Sequence, residues 1–285
     1  MDFIKQLQVS AKKNKSIVCL GMDPELERIP VKKGSIEQRL VKFYSDILDE
    51  CGKQKALPSA VKPNYAFFAQ YGFPGLNAMQ KIISKSRALK IPVILDAKRG
   101  DIGKTSDAYA RECFDFWKAD AVTINPFMGT DSVMPFIRRA ETEGKGVFIL
   151  ARTSNPGALD FQNLKLDGIN LYLHVSKKII FWGREAKGNV GAVVGATSLQ
   201  ELKEIAEFFA SQKIKVPLLI PGVGAQGGSG KDVSMLLKKA GLDLSVCRIN
   251  SSSGINYAFE RFKGVGYAKA AAMAVKELNQ EIGFK

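Results

Sequence analysis

Short apolar, β-branched runs return along this chain at nearly regular intervals, at residues 17–20, 60–62, 92–95, 121–124, 146–151, 191–194, 217–220 and 244–249. Between them the apolar residues change to helical spacing, as in Leu40, Phe43, Tyr44, Ile47 and Leu48 after the first run, or Leu199, Leu202, Ile205, Ala206 and Phe209 after the sixth. Strands joined through helices pair in parallel. Eight such units within 285 residues predict an α/β fold closed into a (β/α)8 TIM barrel rather than an open doubly wound sheet. No Pro/Ser-rich linker interrupts the alternation, so residues 1–285 are read as a single barrel domain. A helix is expected over residues 3–12 and an irregular insertion near residues 155–170.

The remaining composition narrows the function. With 46% hydrophobic residues the chain has the make-up of a globular protein. No apolar run approaches the roughly 18 residues of a membrane span, and the N-terminus lacks the apolar core of a secretory signal, so a cytoplasmic protein without a membrane partner is expected. Cys19, Cys51, Cys113 and Cys247 form no C-x-x-C pair, and His174 is the single histidine; a zinc site and a Ser-His-Asp triad are not expected, and His174 is read as structural. The formal charge of +14 invites a nucleic-acid reading. The lysines and arginines are nevertheless scattered in short groups without interleaved aromatics, so a solvated surface is expected and no nucleic-acid partner. The basic field would still attract an anionic substrate.

In a closed barrel the chemistry gathers at the C-terminal ends of the strands, and here those ends are unusually polar. They read Gly21-Met22-Asp23-Pro24, Lys62-Pro63-Asn64, Asp96-Ala97-Lys98-Arg99-Gly100-Asp101, Asn125-Pro126-Phe127, Arg152-Thr153-Ser154-Asn155, Pro221-Gly222-Val223-Gly224 and Asn250-Ser251-Ser252-Ser253. Side chains alternate faces along a strand, so Asp96 and Lys98 are expected to share the barrel mouth while Ala97 faces the helices. Asp101 follows in the turn and Lys62 ends the neighbouring strand. The spacing therefore predicts an alternating Asp/Lys network of four members, each kept ionised by opposite neighbours.

Two apparent phosphate loops fail on inspection. Ile102-Gly103-Lys104-Thr105 ends like a P-loop, but the required first glycine falls on Lys98; before Gly230-Lys231 it falls on Ala225, and Asp232 replaces Ser/Thr. The glycine-rich stretch 222–230 reads instead as a loop after the seventh strand, where barrels place a phosphate on backbone N–H groups.

With Asp96-x-Lys98-x-x-Asp101-Ile102-Gly103-x-Thr105 in place, the sequence resembles the orotidine 5′-monophosphate decarboxylase family, in its longer bacterial branch. Lys62-Pro63-Asn64, Asn125-Pro126-Phe127-Met128-Gly129, Thr153-Ser154-Asn155-Pro156-Gly157 and Pro221-Gly222-Val223-Gly224 extend the resemblance over nearly the whole chain. It implies cofactor-free decarboxylation of orotidine 5′-monophosphate to uridine 5′-monophosphate, the last step of de novo pyrimidine nucleotide synthesis. Lys98 would be the proton donor, with Asp96, Asp101 and Lys62 completing the catalytic network. Asp23 and Lys62 would hold ribose hydroxyls, Ser154 the pyrimidine and Gln226 the phosphate; Asn64, Thr105 and Pro221 complete the implied substrate site. The resemblance further implies a homodimer in which Asp101 and Thr105 enter the neighbouring subunit's site. One position departs from the family pattern: the arginine that pairs with the phosphate after the eighth strand is replaced by Ser253, and Arg248 lies inside the strand. Two rival readings are a metal-dependent sugar-phosphate decarboxylase of the same superfamily and a non-catalytic nucleotide or RNA binder.

Overall fold

The computed structural model describes residues 2–185, 189–212, 214–224 and 227–284. Eight parallel strands run β1 (Val18–Met22), β2 (Ala60–Pro63), β3 (Ile94–Arg99), β4 (Ala121–Ile124), β5 (Gly146–Arg152), β6 (Val190–Val194), β7 (Leu218–Ile220) and β8 (Arg248–Ser251). Their spatial order is β2-β1-β8-β7-β6-β5-β4-β3. The ring closes between β2 and β3 through single bridges at Val61–Val93 and Asn64–Asp96. Every residue of β1, β2, β4, β6, β7 and β8 is buried, as parallel strands covered on both faces require.

The helices that cover the ring are α2 (Ile36–Lys53), α3 (Gly72–Ala88), α4 (Gly103–Arg111), α5 (Thr130–Glu143), α6 (Leu171–Glu185), α7 (Leu199–Ala210), α8 (Gly230–Lys239) and α9 (Tyr267–Ile282). Local signals set their starts. Ser35 and Gln38 form a reciprocal capping box at α2, satisfying two N–H groups that the first turn leaves free. Of the apolar residues read at helical spacing, Leu40, Phe43, Tyr44, Ile47 and Leu48 in α2 and Leu202, Ile205, Ala206 and Phe209 in α7 are buried, whereas Leu199, the first residue of α7, is exposed.

Helix α1 (Phe3–Asn14) runs slightly beyond its expected end and stops the N-terminal face of the barrel. Phe3 meets Phe148 edge-on at 5.7 Å, and any side chain at Gly146 would collide with the Phe3 ring. Arg248, at the start of β8, is fully buried and donates to the carbonyls of Leu7, Ser245 and Cys247. Burial lowers its pKa to about 10.

The expected strand at 244–249 needs correction. Leu244–Val246 forms a 3₁₀ turn because the Asp243 carboxylate accepts from the Ser245 N–H at 3.0 Å, and the strand begins only at Arg248. The insertion is a 3₁₀ turn at Pro156–Asp160 followed by a short hairpin pairing Lys165–Leu166 with Ile169–Asn170. His174 of α6 lies 3.0 Å from the Leu166 carbonyl and ties the hairpin to the barrel, in the structural role expected of it. All four cysteines are free and buried. Among the described residues no helix is long and apolar enough to cross a membrane.

Candidate active site

The C-terminal ends of the strands enclose a cavity of about 530 Å³, within the range of small-molecule sites. Its charged wall is built by β2, β3 and β4. Lys62 is the penultimate residue of β2, and its ammonium donates to Asp96 Oδ2 at 2.5 Å. Lys98 donates to Asp96 Oδ1 at 2.7 Å. Lys62 and Asp96 are 4% and 7% exposed, so the pair is held out of water, whereas Lys98 is half-exposed at the open end. Burial alone would neutralise the Asp96 carboxyl, but Lys62 and Lys98 outweigh it and hold Asp96 well below the usual carboxylate range. Burial likewise opposes the Lys62 charge, and Asp96 with Asp23 overcomes it, keeping Lys62 above the usual lysine value. The buried Lys62–Asp96 pair stays ionised.

Asp96 and Lys98 reach the same side, as expected, but not through simple alternation. β3 is bulged against β4: Leu95 pairs with Val122 and Arg99 with Ile124. Lys98 adopts a left-handed backbone, φ +44°. Its N–H donates to Thr123 Oγ1 at 3.0 Å, and that hydroxyl donates to Asp96 Oδ1 at 2.9 Å. Thr123 was not singled out from sequence; the available signal was a hydroxyl inside a strand otherwise composed of Ala, Val and Ile.

The opposite wall is less charged. Pro221, Gly222 and Val223 follow β7, Asn250 lies in β8, and Ser252 and Ser253 follow it. Asn250 is 5% exposed; its Oδ1 has no partner, and its amide makes one long contact, 3.5 Å, with Ser252 Oγ. Gly21 is required here, since a Cβ would fall 1.9 Å from Ser252 Oγ. Asp23, at the end of β1, also lines the cavity with a buried, unpartnered Oδ1. The loop behind it is fixed by Tyr257, whose hydroxyl donates to the Asp23 carbonyl and accepts from the Glu25 N–H. Arg28 stacks on the Tyr257 ring at 3.7 Å while paired with Glu25 and Glu260. Leu150, Val193 and Leu219 provide the apolar floor, and Thr153, Ser154 and Asn155 the side beneath β5.

Of the residues expected at the site, Lys62, Asp96, Lys98, Asp23, Asn64, Ser154 and Pro221 line this one cavity. Asp101 and Thr105 do not. The expected four-member network within one chain is therefore corrected to three members. Asp101 accepts from the Ile102 N–H at 2.8 Å, and Thr105 is exposed in the first turns of α4. Gln226 lies outside the described residues. Arg248 is at the far end of the barrel, whereas Ser253 lines the cavity. Among the described residues no group of three His, Cys, Asp or Glu side chains is placed to hold a metal ion.

A parallel eight-stranded barrel with a Lys–Asp–Lys cluster at its strand ends, its Lys62–Asp96 pair buried, has the build of a barrel enzyme for a small anionic substrate. Residues 16–258 match the family model described as orotidine 5′-phosphate decarboxylase / HUMPS family. A protein named orotidine 5′-phosphate decarboxylase from Delftia acidovorans is 38% identical, the match covering 99% of this chain and 98% of the relative. One of the same name from a Roseiflexus species is also 38% identical, over 99% and 97%. The solved structure of Leishmania donovani OMP decarboxylase superposes with a TM-score of 0.77 at 32% identity, covering 99% of both chains. This chain belongs to the orotidine 5′-phosphate decarboxylase / HUMPS family.

Proposed function

We propose that this chain decarboxylates orotidine 5′-monophosphate to uridine 5′-monophosphate, closing de novo pyrimidine nucleotide synthesis, without a metal or organic cofactor. The observation that carries the reading is Asp96 fixed between two ammonium groups, one buried and one facing the cavity. A substrate carboxylate placed against Asp96 meets a like charge. Loss of CO₂ breaks the bond to C6 and leaves its electron pair on that carbon beside the Lys98 ammonium. The charges are already aimed at the developing carbanion and need little reorganisation, so they favour the transition state over the ground state. Lys98 then gives its proton to C6, and its exposure lets solvent restore that proton.

Asp23 and Lys62 hold the ribose hydroxyls in this reading, Asn64 stands beside them, and Ser154 meets the pyrimidine above the Leu150–Val193–Leu219 floor. The phosphate lies between Pro221-Gly222-Val223 and Ser253, where a hydroxyl and backbone groups replace the family's arginine. Gln226 is assigned to the same phosphate. The names carried by the relatives favour this substrate over a sugar phosphate. The protein is placed in the cytoplasm with that pathway, and nucleic acid is not assigned as a partner.

The working unit is a homodimer. Asp101 and Thr105 do not line their own cavity, and Ile102, between them in sequence, is exposed, as are Phe127 and Met128; such apolar surface fits a protein interface. If Asp101 completes the partner's site, inactive Lys98→Ala and Asp101→Ala proteins regain about a quarter of wild-type activity when subunits exchange, since half the dimers are hybrid with one intact site of two.

The direct test is loss of ultraviolet absorbance from orotidine 5′-monophosphate with and without chelator. Chelator-resistant turnover is expected. Turnover that needs an added divalent metal, or conversion of a sugar phosphate instead, overturns the reading.

A further inference from the structure

Between its pairs Leu95–Val122 and Arg99–Ile124, strand β3 carries Asp96, Ala97 and Lys98 where β4 carries Thr123 alone. A bulge of this kind re-aims side chains beside a site, and here it leaves one β4 side chain facing both charged groups. Thr123 is 1% exposed. Its hydroxyl accepts from the Lys98 N–H and donates to Asp96 Oδ1, the same oxygen that receives the Lys98 ammonium. The lysine is thus tied at both ends, its main chain through Thr123 and its ammonium through Asp96.

The backbone makes this restraint necessary. Left-handed φ is unfavourable for any residue with a Cβ. Among the described residues the other non-glycine cases are Lys15, Lys55, Lys90, Lys118 and Asp167, all in turns after helices or at the hairpin tip. Lys98 alone adopts it inside a strand. A strained residue persists only where its surroundings over-determine it, and the bond from Lys98 N–H to Thr123 is the contact that fixes this one.

Resting on the decarboxylase reading above, we infer that Thr123 is a positioning residue: its hydroxyl locks the β3 bulge so that the Lys98 ammonium returns to Asp96 and points at the reacting carbon. It acts through Lys98 and Asp96.

The test is Thr123→Val, which keeps the side-chain shape and removes both hydrogen bonds, beside Thr123→Ser, which keeps both. Displacing a reacting group by about an ångström costs on the order of 100-fold. Thr123→Val is therefore expected to lose about 100-fold in kcat with KM within about threefold, and Thr123→Ser to recover kcat to within about threefold of wild type. Equal losses in both variants, or a rise in KM with kcat unchanged, overturn the inference. Amide hydrogen exchange reads the same contact without turnover. Lys98 N–H should exchange at least about 10-fold faster in Thr123→Val, with Leu95 N–H unchanged and Thr123→Ser like wild type. Unchanged Lys98 exchange overturns the inference even if the substrate assignment itself fails. If the valine variant does not fold, Thr123→Ala, which introduces no new volume, is measured in its place against the same expectations.

Discussion

On the β2–β4 side of the cavity Lys62, Asp96, Lys98 and Thr123 are bonded to one another. On the β8–β1 side Asn250 and Asp23 each hold a buried oxygen with no partner. A buried acceptor without a donor is costly in a folded protein, whereas charges already bonded to each other need no reorganisation when a reaction begins. On the proposed reading the first side is finished before substrate arrives and the second is completed by it. Substitutions on the two sides should therefore act on different quantities, turnover on one and affinity on the other.

The largest effect belongs to Lys98. Lys98→Ala removes the proposed proton donor and the cation assigned to face the carbanion, and should lower kcat by about 10⁴-fold or more, while uridine 5′-monophosphate binding, measured calorimetrically, changes by less than about tenfold. A comparable loss of affinity would erase the contrast between the two sides. Asp96→Ala should also be inactive and in addition unstable, because Lys62 is left buried without its counter-charge. Breaking such a pair costs about 3–5 kcal/mol, which a urea titration would register. Asn250→Ala lies on the other side of the comparison. It should raise KM by about 3- to 10-fold, the worth of one hydrogen bond, with kcat within about twofold, measured by steady-state kinetics.

The smallest effect concerns pH. Asp96 is held below the ordinary carboxylate range, so its contribution to stability is present above about pH 4 and is lost only as pH falls toward its folded value. Lys62 is held above the ordinary lysine range, so its contribution is present below about pH 10 and is lost as pH rises through its folded value. Between about pH 5 and 9 the cluster should leave the melting temperature flat. In acid, Asp243 adds a slope. Its pKa is lowered to about 2 because Lys215 and Ser245 outweigh the effect of burial, so its contribution fades from about pH 4 toward 2. Thermal melts of Asp243→Asn should show a shallower acid slope.

The barrel was legible because two simple periods alternate along the chain, and Asp96 and Lys98 were legible because strand ends are where barrels place their chemistry. Other features depended on contacts that sequence spacing does not encode. The bulge that brings Lys98 back to Asp96 requires Thr123 from the next strand, and nothing within 94–99 announces it. Asp101 was grouped with its neighbours because it follows Lys98 by three positions, yet it does not line the cavity. The last strand was placed too early because Leu244-Ser245-Val246 has strand-like composition, while the preceding Asp243 side chain captures the Ser245 N–H and winds the segment into a turn.

The single bridges that join β2 to β3 give the reacting charges a second duty. Lys62 stands on one side of that join and Asp96 on the other, and their ion pair spans it beside the Asn64–Asp96 bridge. The contact that prepares the carboxylate for chemistry is also a rivet in the seam of the cylinder. A copy of this chain that lost one partner of the pair would loosen its own closure while losing its chemistry.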